Sequence, residues 1–275
     1  MQKGIIRKGF VIGIIVLLIG VSILPSISGD IGTLKVKKSR ESIIFPLNRG
    51  TLYVGGDGPG NYSSIQSAVN YANDGDTIFV YDDSSPYYGM LTVNKSINLI
   101  GEDKNTTIID GEGNLDVIII KANNVVIEGF SITDGVFSGI LICNQDCIIT
   151  DNIFTSNENF CIFLFHWNCN NNKIIGNYIS NNENGIHIFG SNNIITKNII
   201  INNDGSGIAL GKPSNNNFIS YNRIISNNGS AIVLGWSYNN TIFKNIVSSN
   251  DDNSIFLYKS RNNTIIYNNI TWKYC

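Results

Sequence analysis

Between residues 124 and 270 one short apolar/polar pattern recurs seven times: an aliphatic residue, a central residue three places on, and an apolar residue two places further. The copies begin at Ile127, Ile149, Ile174, Ile195, Ile219, Ile242 and Ile265 and close on Ile132, Phe154, Ile179, Ile200, Ile224, Val247 and Ile270. The central column reads Phe130, Asn152, Asn177, Asn198, Asn222, Asn245 and Asn268, with steps of 22, 25, 21, 24, 23 and 23 residues and a mean of 23. Self-similarity at such a period marks a stack of repeats.

Between copies lies a third element, an apolar pair with one residue between. The pairs are Ile118/Ile120, Ile140/Ile142, Ile162/Leu164, Ile186/Ile188, Ile208/Leu210, Ile232/Leu234 and Ile255/Leu257. A period of two is strand periodicity. Each repeat therefore offers three short β-branched strands separated by Asn, Gly and Ser, with no series of helix formers. The expected fold is all-β: a right-handed parallel β-helix of about 23 residues per coil, three sheets enclosing one interior. A leucine-rich repeat has a similar period but wants a Leu frame and often a helical half-repeat, whereas this frame is Ile and the other half is Asn-rich turn.

Asn at the centre is expected to turn the chain, because it tolerates the left-handed conformation. Coils about 4.8 Å apart also let side-chain amides form a ladder, each donating to one neighbour and accepting from the other. On this reading Asn198→Leu costs roughly 1–3 kcal/mol, since it orphans Asn177 and Asn222.

Ahead of the array, Ile65, Ala68, Val69 and Ala72 share one helical face, and Gly75-Asp76 leads into the strand Thr77-Ile78-Phe79-Val80. A short helix there would cap the first coil, as a solenoid requires. Residues 1–29 read as an export signal: Lys3, Arg7 and Lys8, an apolar run from Phe10 to Leu24, then small residues to Gly29. Fifteen helical residues reach only about 22 Å, short of a ~30 Å hydrocarbon core. A retained anchor is the alternative. Residues 30–50 read as a linker, and residues 51–275 as the β-helix with an incomplete last coil ending in Trp272, Tyr274 and Cys275.

Without the leader, 16 Lys and Arg face 21 Asp and Glu, about −5, which disfavours nucleic acid as a partner. Placement outside the cell or at its surface fits seven N-x-S/T sequons, at Asn61, Asn94, Asn105, Asn228, Asn239, Asn262 and Asn269. Cys143, Cys147, Cys161 and Cys169 fall within two adjacent coils, open to bridging or to a role as buried thiols, and their spacing matches no zinc pattern.

The run from Tyr62 to Val69, the strand Thr77 to Val80, Val93-Asn94-Lys95-Ser96-Ile97-Asn98-Leu99-Ile100-Gly101 and Thr107-Ile108-Ile109-Asp110-Gly111 resemble the N-terminal cap and first coils of pectin-lyase-like β-helix proteins. The later repeats, such as Ser214 to Asn222, resemble the NosD-type group, which carries the carbohydrate-binding and sugar-hydrolase domain. The resemblance covers roughly residues 51–270 and implies a fold more than an activity, since interior and turn residues carry it.

The outward residues of the third element are Ile119, Leu141, Phe163, His187, Ala209, Val233 and Phe256, a stripe with no Arg or Lys to hold an acidic glycan. The catalytic clusters of pectin methylesterases, polygalacturonases and alginate epimerases are absent. One acidic row stands in the turn before that stripe, formed by Glu158, Glu183, Asp204 and Asp251 with Asp252. Neighbouring coils would hold carboxylates ~5 Å apart and alternate coils ~10 Å apart, which brackets the two geometries of glycoside hydrolysis. The same row also reads as solvated turn or as a calcium site, although one carboxylate per coil falls short of six to eight oxygen ligands. His166, Trp167, Phe189, Trp236 and Tyr258 gather at the other edge, and with His187 they form the candidate carbohydrate-binding set. The alternative is that these rings pack on each other. With two His and two Met in the whole chain, no copper site is expected, and no cofactor.

The functional expectation is an exported β-helix that binds glycan, with a polysaccharide hydrolase or lyase as the runner-up. A third reading is a structural rod that associates through its outer apolar stripe or its last coil.

Overall fold

The β-branched frame coils as its period demands. A computed structural model of the protein describes residues 50–271, and the expected export signal, residues 30–49 and the residues after Thr271 lie outside them. Ten short parallel strands, from Thr51–Val54 to Thr264–Ile266, stack into sheet one. Sheet two stacks Ile153–Thr155, Tyr178–Ser180, Ile199–Ile201, Arg223–Ile225, Ile246–Ser248 and Asn269–Thr271. Sheet three stacks Phe160–Leu164, Asn184–Ile188, Ile208–Leu210, Ile232–Gly235 and Ile255–Tyr258. In the upper coils two long strands, Ile108–Ile120 and Ser131–Ile142, run from sheet two round the corner into sheet three and join them.

Register puts like on like. Ile174 pairs with Ile149 and Ile195, Ile200 with Ile179 and Ile224, and Ile186 with Ile162 and Ile208. All of these point inward and are 0–1% exposed, so the interior is a continuous aliphatic column. Ser64 caps the helix Ile65–Tyr71, accepting from the Ser67 N–H, and Ile65, Ala68 and Val69 are buried on the first coil.

Each of the three corners carries an Asn ladder. At the first, between sheets one and two, Nδ2 donates to the next coil's Oδ1 from Asn152 through Asn177, Asn198, Asn222 and Asn245 to Asn268, at 3.0–3.2 Å. The second runs Asn157, Asn182, Asn203, Asn227, Asn250 at 2.8–3.0 Å. The third runs Asn193, Asn217, Asn240, Asn263 at 3.0–3.1 Å. Each rung is doubled, because the backbone N–H of one Asn also donates to the next Oδ1, as Asn177 does to Asn198 at 2.9 Å. Nδ2 also reaches back to the previous coil's carbonyl, as Asn198 does to Ile174 at 2.9 Å. These buried amides are fully partnered, which is the condition for an interior polar column to stabilise rather than cost.

The left-handed residue is not the ladder Asn but the residue before it. At the first corner these are Asp151, Gly176, Lys197, Tyr221, Lys244 and Tyr267, with φ between 51° and 68°. A ladder Asn must face inward to meet its neighbours, so the outward-pointing residue ahead of it takes the turn. At the other two corners that residue is Asn or Ser, for example Asn181, Asn202 and Ser226, or Asn192, Asn216 and Asn239.

Cys143, Cys147, Cys161 and Cys169 are free thiols, and all but Cys143 are buried. Cys147 stands in the third corner's ladder position, donating its backbone N–H to Asn172 Oδ1 at 2.9 Å. Leu257, Ile265 and Ile270 continue the inward columns into the last described coil and are 37–39% exposed.

Candidate functional site

The acidic row follows the second corner's ladder. Glu158, Glu183, Asp204 and Asp251 each come directly after a ladder Asn, so the ladder sets their spacing. Backbone bonds hold the register: Glu183 N–H to Asn157 O at 3.0 Å, Asp204 N–H to Asn182 O at 2.9 Å, and Asp251 N–H to Asn227 O at 2.9 Å. Asn228 interrupts the row and donates to Asp204 Oδ1 at 3.1 Å. All four carboxylates are exposed on an outward corner. An acid–base pair needs environments that push two pKa values apart. Burial raises the pKa of Asp116, against an opposing bond from Ser138 Oγ at 2.5 Å, and of Glu128, to which Asp151 adds.

The aromatic set divides in two. On the outside of sheet three, Phe163 is only 5% exposed, although its strand points it at solvent. Phe160 stacks on it at 4.7 Å, Phe137 and Phe165 meet it edge-on at 5.7 Å, and Phe189 does so at 5.8 Å. His187 lies inside this cluster, 5.0 Å from Phe160 and 4.9 Å from Phe189, and burial lowers its pKa to about 4. Phe189 lies across Gly211, where no side chain fits. Phe137 lies within the long strand Ser131–Ile142 and Phe160 opens the strand Phe160–Leu164, so both lie outside the paired positions of the third element. His187 and Phe189 are thus packed components of a closed cluster.

His166 and Trp167 lie at its edge, ring centroids 3.9 Å apart, with Trp167 62% exposed. Trp236 and Tyr258 stand in a second, open group. They meet edge to face at 4.7 Å and stay 37% and 43% exposed. Lys259 Nζ lies 5.4 Å from the Trp236 ring and 5.2 Å from Tyr258, and the Arg261 guanidinium lies 5.5 Å from Tyr238. Trp236 is itself left-handed, φ 49°, which throws the indole clear of the coil.

Charge divides along the rod as well. Residues 50–183 hold sixteen Asp and Glu against four Lys, a formal −12. Residues 184–271 hold six Lys and Arg against three Asp, a formal +3, and those three acids, Asp204, Asp251 and Asp252, all sit at the second corner. The open rings therefore belong to an electropositive surface on the other two corners.

A cleft of about 300 Å³ lies beside the capping helix, between Gln66 and Tyr87–Gly89. Its polar groups are engaged: Gln66 with the Thr92 backbone at 2.8 and 3.2 Å, and the Tyr87 hydroxyl with Tyr81 O at 2.7 Å.

Residues 160–274 match the family model described as periplasmic copper-binding protein (NosD). No curated protein matches the sequence. Among solved structures, the enzymatically active domain of tailspike protein 2 from bacteriophage CBA120 is similar, with a TM-score of 0.60 at 11% identity over 82% of this chain and 43% of that one. A double mutant of the periplasmic alginate epimerase AlgG is similar with a TM-score of 0.50 at 15% identity, over 80% of this chain and 67% of that one. The chain thus spans under half the length of the tailspike domain. The shared feature is the right-handed parallel β-helix of the pectin-lyase-like fold.

Copper does not fit the described residues. His187 is enclosed by rings, and burial pushes the Cys147 and Cys169 thiols up to about 12 and about 11, so they hold the protons a metal must displace. Among the described residues no group of three His, Cys, Asp or Glu could hold an ion.

Proposed function

We propose that this β-helix binds carbohydrate through the open ring-and-cation surface of its C-terminal coils. The observation that carries the reading is the pair Trp236 and Tyr258, exposed, edge to face, with Lys259 against both rings. Apolar sugar faces stack on such rings, and a neighbouring ammonium serves hydroxyl or acidic substituents. Trp167 is the best-exposed ring of the upper set and forms a secondary contact. The fold shared with the alginate epimerase supports a carbohydrate partner, and the basic, apolar segment 3–24 supports export.

The test is retention of the protein on immobilised neutral and acidic polysaccharides, read together with release of new sugar ends. Retention without release, lost in Trp236→Ala, is expected. The stacked carboxylates of the second corner favour one alternative, hydrolysis or elimination: release of ends that disappears in Glu183→Gln or Asp204→Asn would replace the binding reading. Indifference to both sets, with a changed oligomeric state in Leu141→Lys, would point to a structural rod.

A further inference from the structure

The first corner differs from the other two in the left-handed residue that stands directly before its ladder Asn. On the last four coils these read Lys197, Tyr221, Lys244, Tyr267, a strict alternation of cation and ring. Backbone bonds keep them stacked: Lys197 N–H to Ser220 O at 3.2 Å, Tyr221 N–H to Phe243 O at 3.2 Å, and Lys244 N–H to Ile266 O at 3.3 Å. Tyr221 is 49% exposed and Tyr267 77%.

Nothing local demands these residue types. Gly176 fills the same position one coil above Lys197, and a Cβ built there meets nothing within 4 Å, so the corner faces open space and accepts glycine. Directly before the ladder Asn, the other corners use Asn and Ser, which adopt this conformation more cheaply. Tyr and Lys carry its strain without a compensating side-chain hydrogen bond to the turn, and strain of this kind points toward a function. The rings are also braced. Phe243, on sheet one, meets Tyr221 at 5.6 Å and Tyr267 at 5.9 Å, both near-perpendicular, and stacks over Phe218 at 6.1 Å. Lys244 Nζ sits 5.0 Å from Phe243 and 5.8 Å from Tyr221. Arg223 is exposed on the adjoining strand of sheet two.

We propose that this corner is a binding edge for a linear anionic glycan, carboxylated or sulfated, lying along the rod axis. A chain so placed meets an ammonium on every second coil, about 10 Å apart, and a ring on the coil between. Rings select a sugar's apolar face, and the ammonium groups select its acidic substituents. Asp204, Asp251 and Asp252 are the acids of residues 184–271, and the second corner holds them away from this edge. Nucleic acid fits less well: two lysines and one arginine are few phosphate contacts, and the −12 of residues 50–183 repels a long polyanion. The inference shares with the proposed function the premise of a carbohydrate ligand but uses different residues.

The test measures affinity of the full chain for polygalacturonate, dextran sulfate, neutral dextran and duplex DNA, across a salt series. Tight, salt-sensitive binding to either anionic glycan is expected, weakened at least tenfold by Lys197→Gln with Lys244→Gln and by Tyr221→Ala with Tyr267→Ala. Lys197→Arg with Lys244→Arg is expected to retain it. Thermal melts of the same variants check that they remain folded. No binding to either anionic glycan, or binding that both double variants leave unchanged, overturns the assignment. Loss in Trp236→Ala alone places the ligand at the third corner and overturns this edge while sparing the wider carbohydrate reading. Tighter binding to DNA overturns the choice of glycan.

Discussion

The two aromatic regions of the rod are built from the same residue types and end in opposite states. Outside sheet three, Phe137, Phe160, Phe163, His187 and Phe189 close on one another until Phe163 is 5% exposed and His187 cannot readily hold a proton. At the first corner, Tyr221 and Tyr267 stand 49% and 77% exposed, separated by lysines. In the closed cluster Phe160 and Phe165 from the same coil, Phe137 from the coil above and His187 and Phe189 from the coil below all pack on Phe163, so the rings complete each other. At the corner, single-residue projection on a left-handed turn spaces the rings too far apart to seal, and lysine fills the gaps. Aromatic residues on the outside of a β-helix therefore do not by themselves mark a ligand surface. Interleaved cations and a backbone conformation that glycine or asparagine would adopt more easily do.

The largest effect probes the frame beneath both regions. Asn198→Leu removes the acceptor of both the Asn177 N–H and its Nδ2, along with the donor to Asn222 and Ile174, and should cost about 4 kcal/mol in a denaturant melt. Asn203→Leu and Asn217→Leu should match it if the three ladders are equivalent. Next, Phe163→Ala should cost about 3 kcal/mol, whereas Tyr267→Ala should stay within about 0.5 kcal/mol. Equal losses would erase the distinction between closed and open rings.

His187 sharpens the contrast by titration. Burial lowers its folded pKa from the ordinary 6.5 to about 4. The unfolded chain binds a proton there below about 6.5 while the folded chain does not, so stability present above pH 6.5 falls as pH drops toward 4 and levels off below it. The loss should approach about 3 kcal/mol and be missing from His187→Phe when the two are compared across that window. The smallest effect concerns the turns: Lys197→Asn should stabilise by about 0.5–1 kcal/mol and Asn216→Lys should destabilise by a similar amount. Opposite signs would mean that the lysine supports the fold rather than a ligand.

The coil itself was legible because its frame is inward aliphatics at fixed spacing, which is the signal of strand periodicity. One ladder was legible with it, since Asn177 and Asn198 sit between those aliphatics. The other two were not, although Asn172-x4-Asn177-x4-Asn182 repeats as Asn193, Asn198, Asn203 and as Asn217, Asn222, Asn227. Polar residues beside apolar strands read as solvated turns until register shows them stacked and buried. Asn's own tolerance of the left-handed conformation points to the ladder Asn as the turn residue, whereas burial of its amide puts the turn one residue earlier.

Of the candidate site, the acidic row was visible as a column, and its exposure matches the solvated-turn reading. Phe163 looked outward because a strand's period says nothing of rings supplied by neighbouring turns. The alternation Lys197, Tyr221, Lys244, Tyr267 was present at steps of 24, 23 and 23 residues, and became meaningful only when the left-handed positions were known. Asp116 was hidden between Leu115 and Val117, where its burial follows from the long strand turning the corner.

Hydroxyl-radical footprinting of the full chain, with and without polygalacturonate or dextran sulfate, tests the central claim most directly, since it reads ring exposure residue by residue. The account predicts that Tyr221 and Tyr267 are oxidised in the free protein and shielded by the anionic glycan, while Phe163 stays unreactive in both and Phe165 is unchanged. Shielding of Phe165 and Trp167 with Tyr221 and Tyr267 still open would contradict it.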